Sequence, residues 1–479
     1  MKTVTKLADG LTPVRAFAAL RDAAGGEASF LFESVVGGDR WGRYGILGTR
    51  PSWSAVLREV DGIVAWELEG ATGDLRERLG DPKDVTGFAE RLFAPRSPRG
   101  DTTVAETFAR ATFGFVAWDL IHATERVPAW ERKNGVPLAR FVGGATVVVF
   151  DAFAQTFTVA GGADEDVSRV VGVLSSAGAL RPLDVPERGR WPDDVTVGTS
   201  DDAYVAKVRA AKEFIRAGDA FQIVLARPFT VPARGRDAFD VYRAMRAINP
   251  SPYMYFVDFP PLVGETTRTE IAGASPETLV RLDAGTMTVR PIAGTRKRGA
   301  NAEEDATLER ELLADPKELS EHVMLIDLGR NDVGRVSETG TVRLDKRMVV
   351  EKYSHVMHIV SEVSGTVGAS RSPFAVLRSA FPAGTLSGAP KLRAMQIVRE
   401  LEDEPRGIYG GAIGYVTDHG DLDFAIAIRT AVLRDGVFRV TAGAGIVEAS
   451  DERAEAEETR SKARGVLAAI AAVPTRTDH

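Results

Sequence analysis

Residues 277–292 read Glu277-Thr278-Leu279-Val280-Arg281-Leu282-Asp283-Ala284-Gly285-Thr286-Met287-Thr288-Val289-Arg290-Pro291-Ile292. Two β-prone runs, 277–282 and 286–292, flank the break Asp283-Ala284-Gly285, and that pattern predicts a β-hairpin. A hairpin makes its two strands antiparallel, whereas parallel neighbours need a crossover of about a dozen residues or more. Working outward, Ser200 caps a predicted helix in which Tyr204, Val205, Val208, Ala211 and Ile215 recur at helical spacing, ending at Gly218. Phe221-Gln222-Ile223-Val224-Leu225-Ala226 then reads as a buried strand. Strands and helices alternate to the C-terminus without strict β-α-β order. The expected class is therefore α+β, with mixed, largely antiparallel sheets and helices packed outside as an α/β sandwich, not a Rossmann fold.

Further upstream, 145–150 and 156–160 are short β-rich runs, and 94–101 and 181–192 are Pro- and charge-rich connectors. The expected organisation is an N-terminal region 1–190, a larger domain 195–470 and a tail 471–479. There is no internal repeat, which removes solenoids and propellers. The 479 residues include 60 Lys+Arg against 67 Asp+Glu, a net charge of −7, and no cysteine. That balance, without a basic run, argues against sequence-independent nucleic-acid binding. The absent cysteines exclude disulfides, thiolate-held zinc or iron–sulfur clusters, and a thiol nucleophile. No stretch reaches 18 uninterrupted apolar residues and the N-terminus lacks an apolar signal region, so a cytoplasmic protein without membrane partners is expected.

Two glutamate pairs carry candidate chemistry. Asp315-Pro316-Lys317-Glu318 predicts a helix start, with Asp at the N-cap, Pro at the first helical position and Glu318 completing a capping-box-like arrangement. Leu319, Val323 and Ile326 form one stripe while Met324, Leu325 and Leu328 fill other sides, predicting a buried helix that carries Glu318 and Glu321. Near the C-terminus, Thr459, Ala463, Val466 and Ile470 make an inward stripe, with Glu455, Glu458 and Lys462 along one flank. Buried carboxylates need protons, cations or a metal, and oxygen donors without a His/Cys cluster favour Mg²⁺ over zinc. Taken alone, the same residues also fit solvated helix charges.

Six motifs then fall in one order. They are Gly273-Ala274-Ser275-Pro276-Glu277, Pro291-Ile292-Ala293-Gly294-Thr295-Arg296, Glu318-Leu319-Ser320-Glu321-His322, Asp327-Leu328-Gly329-Arg330-Asn331-Asp332, Pro382-Ala383-Gly384-Thr385-Leu386-Ser387-Gly388-Ala389-Pro390-Lys391 and Gly443-Ala444-Gly445-Ile446. Over residues 199–470 this resembles the chorismate-utilising enzyme family, and within it the large, anthranilate-forming subunit.

The resemblance implies addition of ammonia at ring C2 of chorismate with loss of the C4 hydroxyl, then elimination of pyruvate. It implies Mg²⁺ held by Glu321 and Glu458, with Glu318 and Glu455 in support through water. It places substrate contacts at Gly294, Thr295, Tyr409, Arg429, Gly443, Ala444, Gly445 and Lys462. Glu277 matches the acid for the leaving hydroxyl, His358 the residue tied to elimination, and Thr385 a nearby site residue. Without the resemblance, His358 reads as a packed strand histidine.

Two positions separate the sister activities. The folate-branch aminodeoxychorismate synthases, the nearest alternative, usually carry a nucleophilic Lys where this chain has Ala293. Isochorismate and salicylate synthases place a Lys base where this chain has Gln222. A nucleotide-binding reading of Gly384-Thr385-Leu386-Ser387-Gly388-Ala389-Pro390-Lys391 fails on spacing, since the motif needs G-x-x-x-x-G-K-[ST].

In the N-terminal region, Phe32-Glu33-Ser34 and Asn249-Pro250-Ser251-Pro252-Tyr253-Met254 match the family's tryptophan feedback site, implying inhibitor contacts at Glu33, Ser34, Pro252, Tyr253 and Met254. Glutamine-dependent ammonia release in the family uses a cysteine nucleophile. Its absence here implies a glutaminase on a separate chain, in a heterotetramer.

Overall fold

The computed structural model describes residues 1–479 apart from 35–42, 101, 132–134, 188, 354–355 and 476–479, so the end of the expected tail lies outside the described residues. Two large sheets form the molecule, of twelve and eleven strands, and every pairing among the described residues is antiparallel. The expected sandwich is present, and it is more uniformly antiparallel than the sequence suggested. Both sheets draw on both ends of the chain. In the first, Ser29–Glu33 pairs with Tyr253–Phe259. In the second, Thr112–Val116 pairs with Ala412–Val416.

Two-residue alternation explains the layering. Phe30, Tyr255, Val257 and Phe259 of the first sheet meet Phe113, Phe115, Ile413 and Ala425 of the second in an inner core. Phe30 and Phe113 stack there with ring centroids 4.1 Å apart. The intervening Leu31, Met254 and Phe256 point the other way, under the helices Pro13–Ala24, Ala238–Ile248 and Glu452–Ala472. Each fully buried Phe or Leu contributes roughly 1.5–3 kcal/mol, so a slip of one residue in any strand would expose a whole face.

The hairpin forms from Thr278–Asp283 and Thr286–Val289, with Asp283 paired to Thr286. Its loop is the two residues Ala284 and Gly285, both at positive φ (50° and 77°), the primed turn that matches strand twist. The second strand stops at Val289, three residues before the expected end. Pro291 has no N–H to give a ladder, and a separate strand, Ile292–Lys297, follows.

Ser200 caps Asp201–Arg216 through its side chain, which accepts from Ala203 N at 3.2 Å. The next strand runs Gln222–Pro232, and Phe221, expected inside it, is 74% exposed.

The helix Pro316–Gly334 corrects two expectations. Asp315 caps it, accepting from the backbone N–H of Lys317 and Glu318, but Glu318 does not close a capping box, because its carboxylate receives Arg296 Nη1 at 3.1 Å. Nor is the helix buried all round: His322, Leu325, Ile326, Gly329 and Val333 face inward, whereas Val323 is 45% exposed. The polar His322 takes the core position, its Nε2 2.7 Å from Ser361 Oγ, and burial drives its pKa down to about 4. On the helix Glu452–Ala472 the stripe of Thr459, Ala463, Val466 and Ile470 is buried as the spacing requires.

Candidate active site

The strands Gln222–Pro232 and Val437–Ile446 pair as the floor of a cleft of about 740 Å³. The helices Pro316–Gly334 and Glu452–Ala472 and the paired strands Ile292–Lys297 and Val356–Thr366 form its walls. Glu277, Gly294, Thr295, Glu318, Glu321, His358, Thr385, Tyr409, Arg429, Gly443, Gly445, Glu455, Glu458 and Lys462 all line it. Ala444 does not. Its methyl is buried in the core, so only its backbone belongs to the floor.

Glu277 precedes the strand Thr278–Asp283, and its Oε1 accepts from Thr385 Oγ1 at 2.9 Å. Burial pushes this carboxyl up to about 7, against the opposing pull of the Thr385 bond and the Lys462 charge. A carboxylic acid poised near neutrality can hold or release a proton under working conditions.

His358 faces Thr295 across the ladder, its Nδ1 3.0 Å from Thr295 Oγ1 and 3.1 Å from Gly294 O. A carbonyl oxygen only accepts, so Nδ1 carries the hydrogen and Nε2 the lone pair. Burial lowers the pKa of His358, and Arg429 adds to that lowering, which keeps the ring neutral. The register shifts between Ala293 and Thr295, and Gly294 sits in the bulge at φ 65°. A side chain there would be strained by the backbone and pressed between Leu312 Cδ1 and Glu318 Oε2.

Arg429 also occupies the left-handed region, at φ 52°, a conformation a non-glycine residue adopts only when its surroundings impose it. Its Nη1 donates to Lys462 O at 3.2 Å, and it has no carboxylate partner among the described residues. Burial lowers its pKa, so this half-buried cation, facing the cleft, is suited to receive an anion. Tyr409 lies beside it, pushed up to about 12 by burial. A Cβ at Gly443 would stand 2.9 Å from the Tyr409 oxygen and 2.7 Å from Leu225 O, so only glycine fits this floor.

The four glutamates face one another from the two helices. Glu321 is raised by burial and then by the like charge of Glu318; Glu455 is raised by burial, with Glu458 adding. Glu458 holds Lys462 Nζ at 2.6 Å. Crowded oxygen donors on two walls fit a hard divalent cation chemically. They are not preassembled for one: among the described residues no group of three or more acidic or histidine side chains forms a ready metal cage.

A second pocket of about 330 Å³ lies between the sheets, and Glu33, Ser34, Pro252, Tyr253 and Met254 all line it. Ser34 Oγ is enclosed without a hydrogen-bond partner among the described residues. Glu33 lines the pocket with its carboxylate already engaged. Its carboxylate is taken by Arg246 Nε at 2.6 Å and Tyr242 Oη at 2.5 Å.

Several contributors are not evident from the sequence. Phe108, Arg281, Tyr415 and Asp423 complete the second pocket, and Lys297, Lys317 and Ser461 rim the cleft. Gln222 Nε2 donates to Glu321 Oε1 at 3.4 Å, while its own Oε1 is buried and has no hydrogen-bond partner among the described residues. Beneath the cleft, the buried Arg406 donates to Leu386 O (2.6 Å), Val224 O (2.7 Å) and Glu402 (2.6 Å), tying the Thr385 segment to the floor strand. The only hint in the sequence was an Arg four residues after a Glu. Lys391 Nζ is spent on both Asp332 oxygens, at 2.8 and 2.9 Å, and is closed to any phosphate.

Residues 65–468 match the family of chorismate binding enzymes. The chain is 39% identical to anthranilate synthase component 1 of Acetivibrio thermocellus, covering 98% of this chain and 94% of that one. It is 41% identical to the Pseudomonas putida protein of the same name, over 97% and 94%. The crystal structure of anthranilate synthase component I from Streptococcus pneumoniae superposes with a TM-score of 0.73 at 34% identity, covering 91% of this chain and 94% of that one. The menaquinone-specific isochorismate synthase of Escherichia coli, at 17% identity, shares the fold with a TM-score of 0.70 over 98% and 94%.

Proposed function

The chain belongs to the chorismate binding enzymes, and from that premise we propose that it acts as component 1 of an anthranilate synthase, turning chorismate and ammonia into anthranilate, pyruvate and water. The observation that carries this reading is Glu277, a half-buried carboxyl bonded by Thr385 and held near neutrality by its surroundings, in the same cleft as Arg429, which has no carboxylate partner among the described residues. Hydroxide is a poor leaving group. Glu277 supplies the proton with which the C4 hydroxyl departs as water while ammonia bonds to C2 and then sheds a proton. In the second half a base takes the C2 proton, the C3–O bond breaks as the ring becomes aromatic, and the departing enolate gains a proton at its methylene carbon to become pyruvate. His358, neutral and with its Nε2 lone pair free by the tautomer assigned above, supports that step.

Arg429, Tyr409, Thr295, Lys462, Gly294 and the backbone at 443–445 receive the carboxylates. Glu321 and Glu458 would hold Mg²⁺, backed by Glu318 and Glu455; when bound, the ion supplies the charge that offsets these glutamates beside an anionic substrate. Ala293 offers no amine for the covalent route of the folate-branch enzyme, and the Gln222 amide cannot deprotonate water, whereas its Oε1, which no described residue engages, can accept an N–H of ammonia. With no cysteine in the sequence, a glutaminase on a separate chain is the proposed ammonia source, in a cytoplasmic heterotetramer. No helix among the described residues is long and apolar enough to cross a membrane. Tryptophan is the proposed inhibitor, in the pocket between the sheets.

Incubating the purified chain with chorismate, Mg²⁺ and ammonium at alkaline pH tests the reading. Fluorescent anthranilate is expected, and glutamine in place of ammonium should give none. A 4-amino product, or none with ammonium, would refute it.

A further inference from the structure

The pocket between the sheets and the acid in the cleft are built from the same strands. Tyr253 lines the pocket and opens the strand Tyr253–Phe259. Its backbone pairs with Ser275, whose Oγ accepts from Glu277 N at 3.3 Å. Its phenol reaches the residue on the other side of Glu277: Tyr253 Oη lies 3.0 Å from Thr278 Oγ1 and donates to Asp423 Oδ1 at 2.8 Å. Asp423 also lines the pocket, and its strand Leu422–Ile426 ends by giving Ile426 N–H to Glu277 O at 3.0 Å. An ionised Asp423 can only accept, so the Tyr253 hydrogen is committed to it and Thr278 must donate to Tyr253. Directly after Thr278 the strand is bulged, with a register shift before Val280, a device that re-aims neighbouring side chains.

We infer that Tyr253 is a positioning residue for Glu277, and that an occupant of the pocket acts on the reaction by moving the Thr278–Tyr253–Asp423 chain of hydrogen bonds. The inference rests on the proposed activity and on tryptophan as the pocket's ligand. A ligand that displaces the phenol frees Thr278 and with it the register of the bulge, and Glu277 loses its aim at the leaving oxygen. By linkage, chorismate in the cleft must weaken the pocket ligand by the same factor.

Tyr253→Phe and Thr278→Val each remove this hydrogen bond while keeping the ring or the volume. With ammonium as nitrogen source, the ratio of chorismate KM with and without saturating tryptophan should fall to less than about threefold in either variant, from the roughly 5–150-fold usual for such coupling. Tryptophan binding, measured directly by calorimetry, should change by less than about threefold. The midpoint of the pH–rate profile assigned to Glu277 should shift, which a merely structural loss would not produce. The double variant should add nothing to either single one. Wild-type inhibition ratios and pH midpoints in both variants, or effects that add fully in the double variant, would overturn the inference while leaving the activity standing. Wild-type protein that makes no anthranilate would mean that the functional reading itself has failed.

Discussion

The cleft and the pocket between the sheets differ in chemistry and in how they are assembled. The cleft is lined by five glutamates, three lysines and Arg429, all from residues 222–462. The smaller pocket has six aromatic side chains in its wall and takes residues from as far apart as Phe32 and Asp423. Phe108 and Tyr415 meet there edge to face, with centroids 5.1 Å apart. Ionisable pairs such as Glu318 and Glu321, or Glu455 and Glu458, are set by one helix turn, so each piece of the cleft is local in sequence even though the pieces come from half of the chain. An aromatic box needs two sheets in register, so it depends on the packing of the whole sandwich. The proposed chemistry and the proposed control can therefore be changed separately, except where the inferred role of Tyr253 joins them.

Substitutions that break this division test it, beginning with the cleft. Glu321→Gln or Glu458→Gln should lower kcat/KM by more than about 1000-fold, about 4 kcal/mol of transition-state stabilisation, with tryptophan still bound in calorimetry. Normal turnover in either variant would remove the metal assignment. Glu277→Gln should lower kcat by about 100-fold or more. In the wild type the rate per free ammonia should fall roughly tenfold per pH unit above about 7, as the acid ionises, and the variant should lose this limb. The same group links to stability. Its folded pKa of about 7 lies above the ordinary 4.5, so its contribution is complete below pH 4.5 and lost as pH rises through 7. Thermal melts should therefore find Glu277→Gln more stable than wild type above pH 7, by up to about 3 kcal/mol.

Smaller effects follow from single contacts. Arg429→Ala should raise the chorismate KM roughly 30- to 150-fold, the 2–3 kcal/mol of a charged hydrogen-bonded contact, with a smaller change in kcat. In the pocket, Ser34→Ala removes a hydroxyl that has no hydrogen-bond partner among the described residues, so it should weaken tryptophan inhibition about two- to tenfold with kcat within twofold. An unaltered inhibition curve would count against the pocket as the inhibitor site.

The local part of this architecture was legible in the sequence. The hairpin at Ala284-Gly285, the Ser200 cap and the Thr459–Ile470 stripe follow from turn chemistry and helical spacing, and the cleft residues fall together because their motifs end strands or flank helices. What stayed hidden depends on tertiary partners. Val323 looked like core because its neighbours are apolar, but His322 holds that place through its bond to Ser361. The partners of Glu33, Arg246 and Tyr242, lie over 200 residues away, so its own segment does not show that its carboxylate is engaged. Asp423 and Tyr415 read as ordinary strand residues, since nothing in their own segments shows that a second sheet will close a pocket over them.

The most direct test is to supply ¹⁵N-ammonium with chorismate and Mg²⁺ and to analyse the products by mass spectrometry and NMR. Ortho-aminobenzoate carrying one ¹⁵N is expected, with one pyruvate formed per molecule. A para-substituted product, unlabelled anthranilate, or a hydroxylated product without nitrogen would contradict the proposed activity.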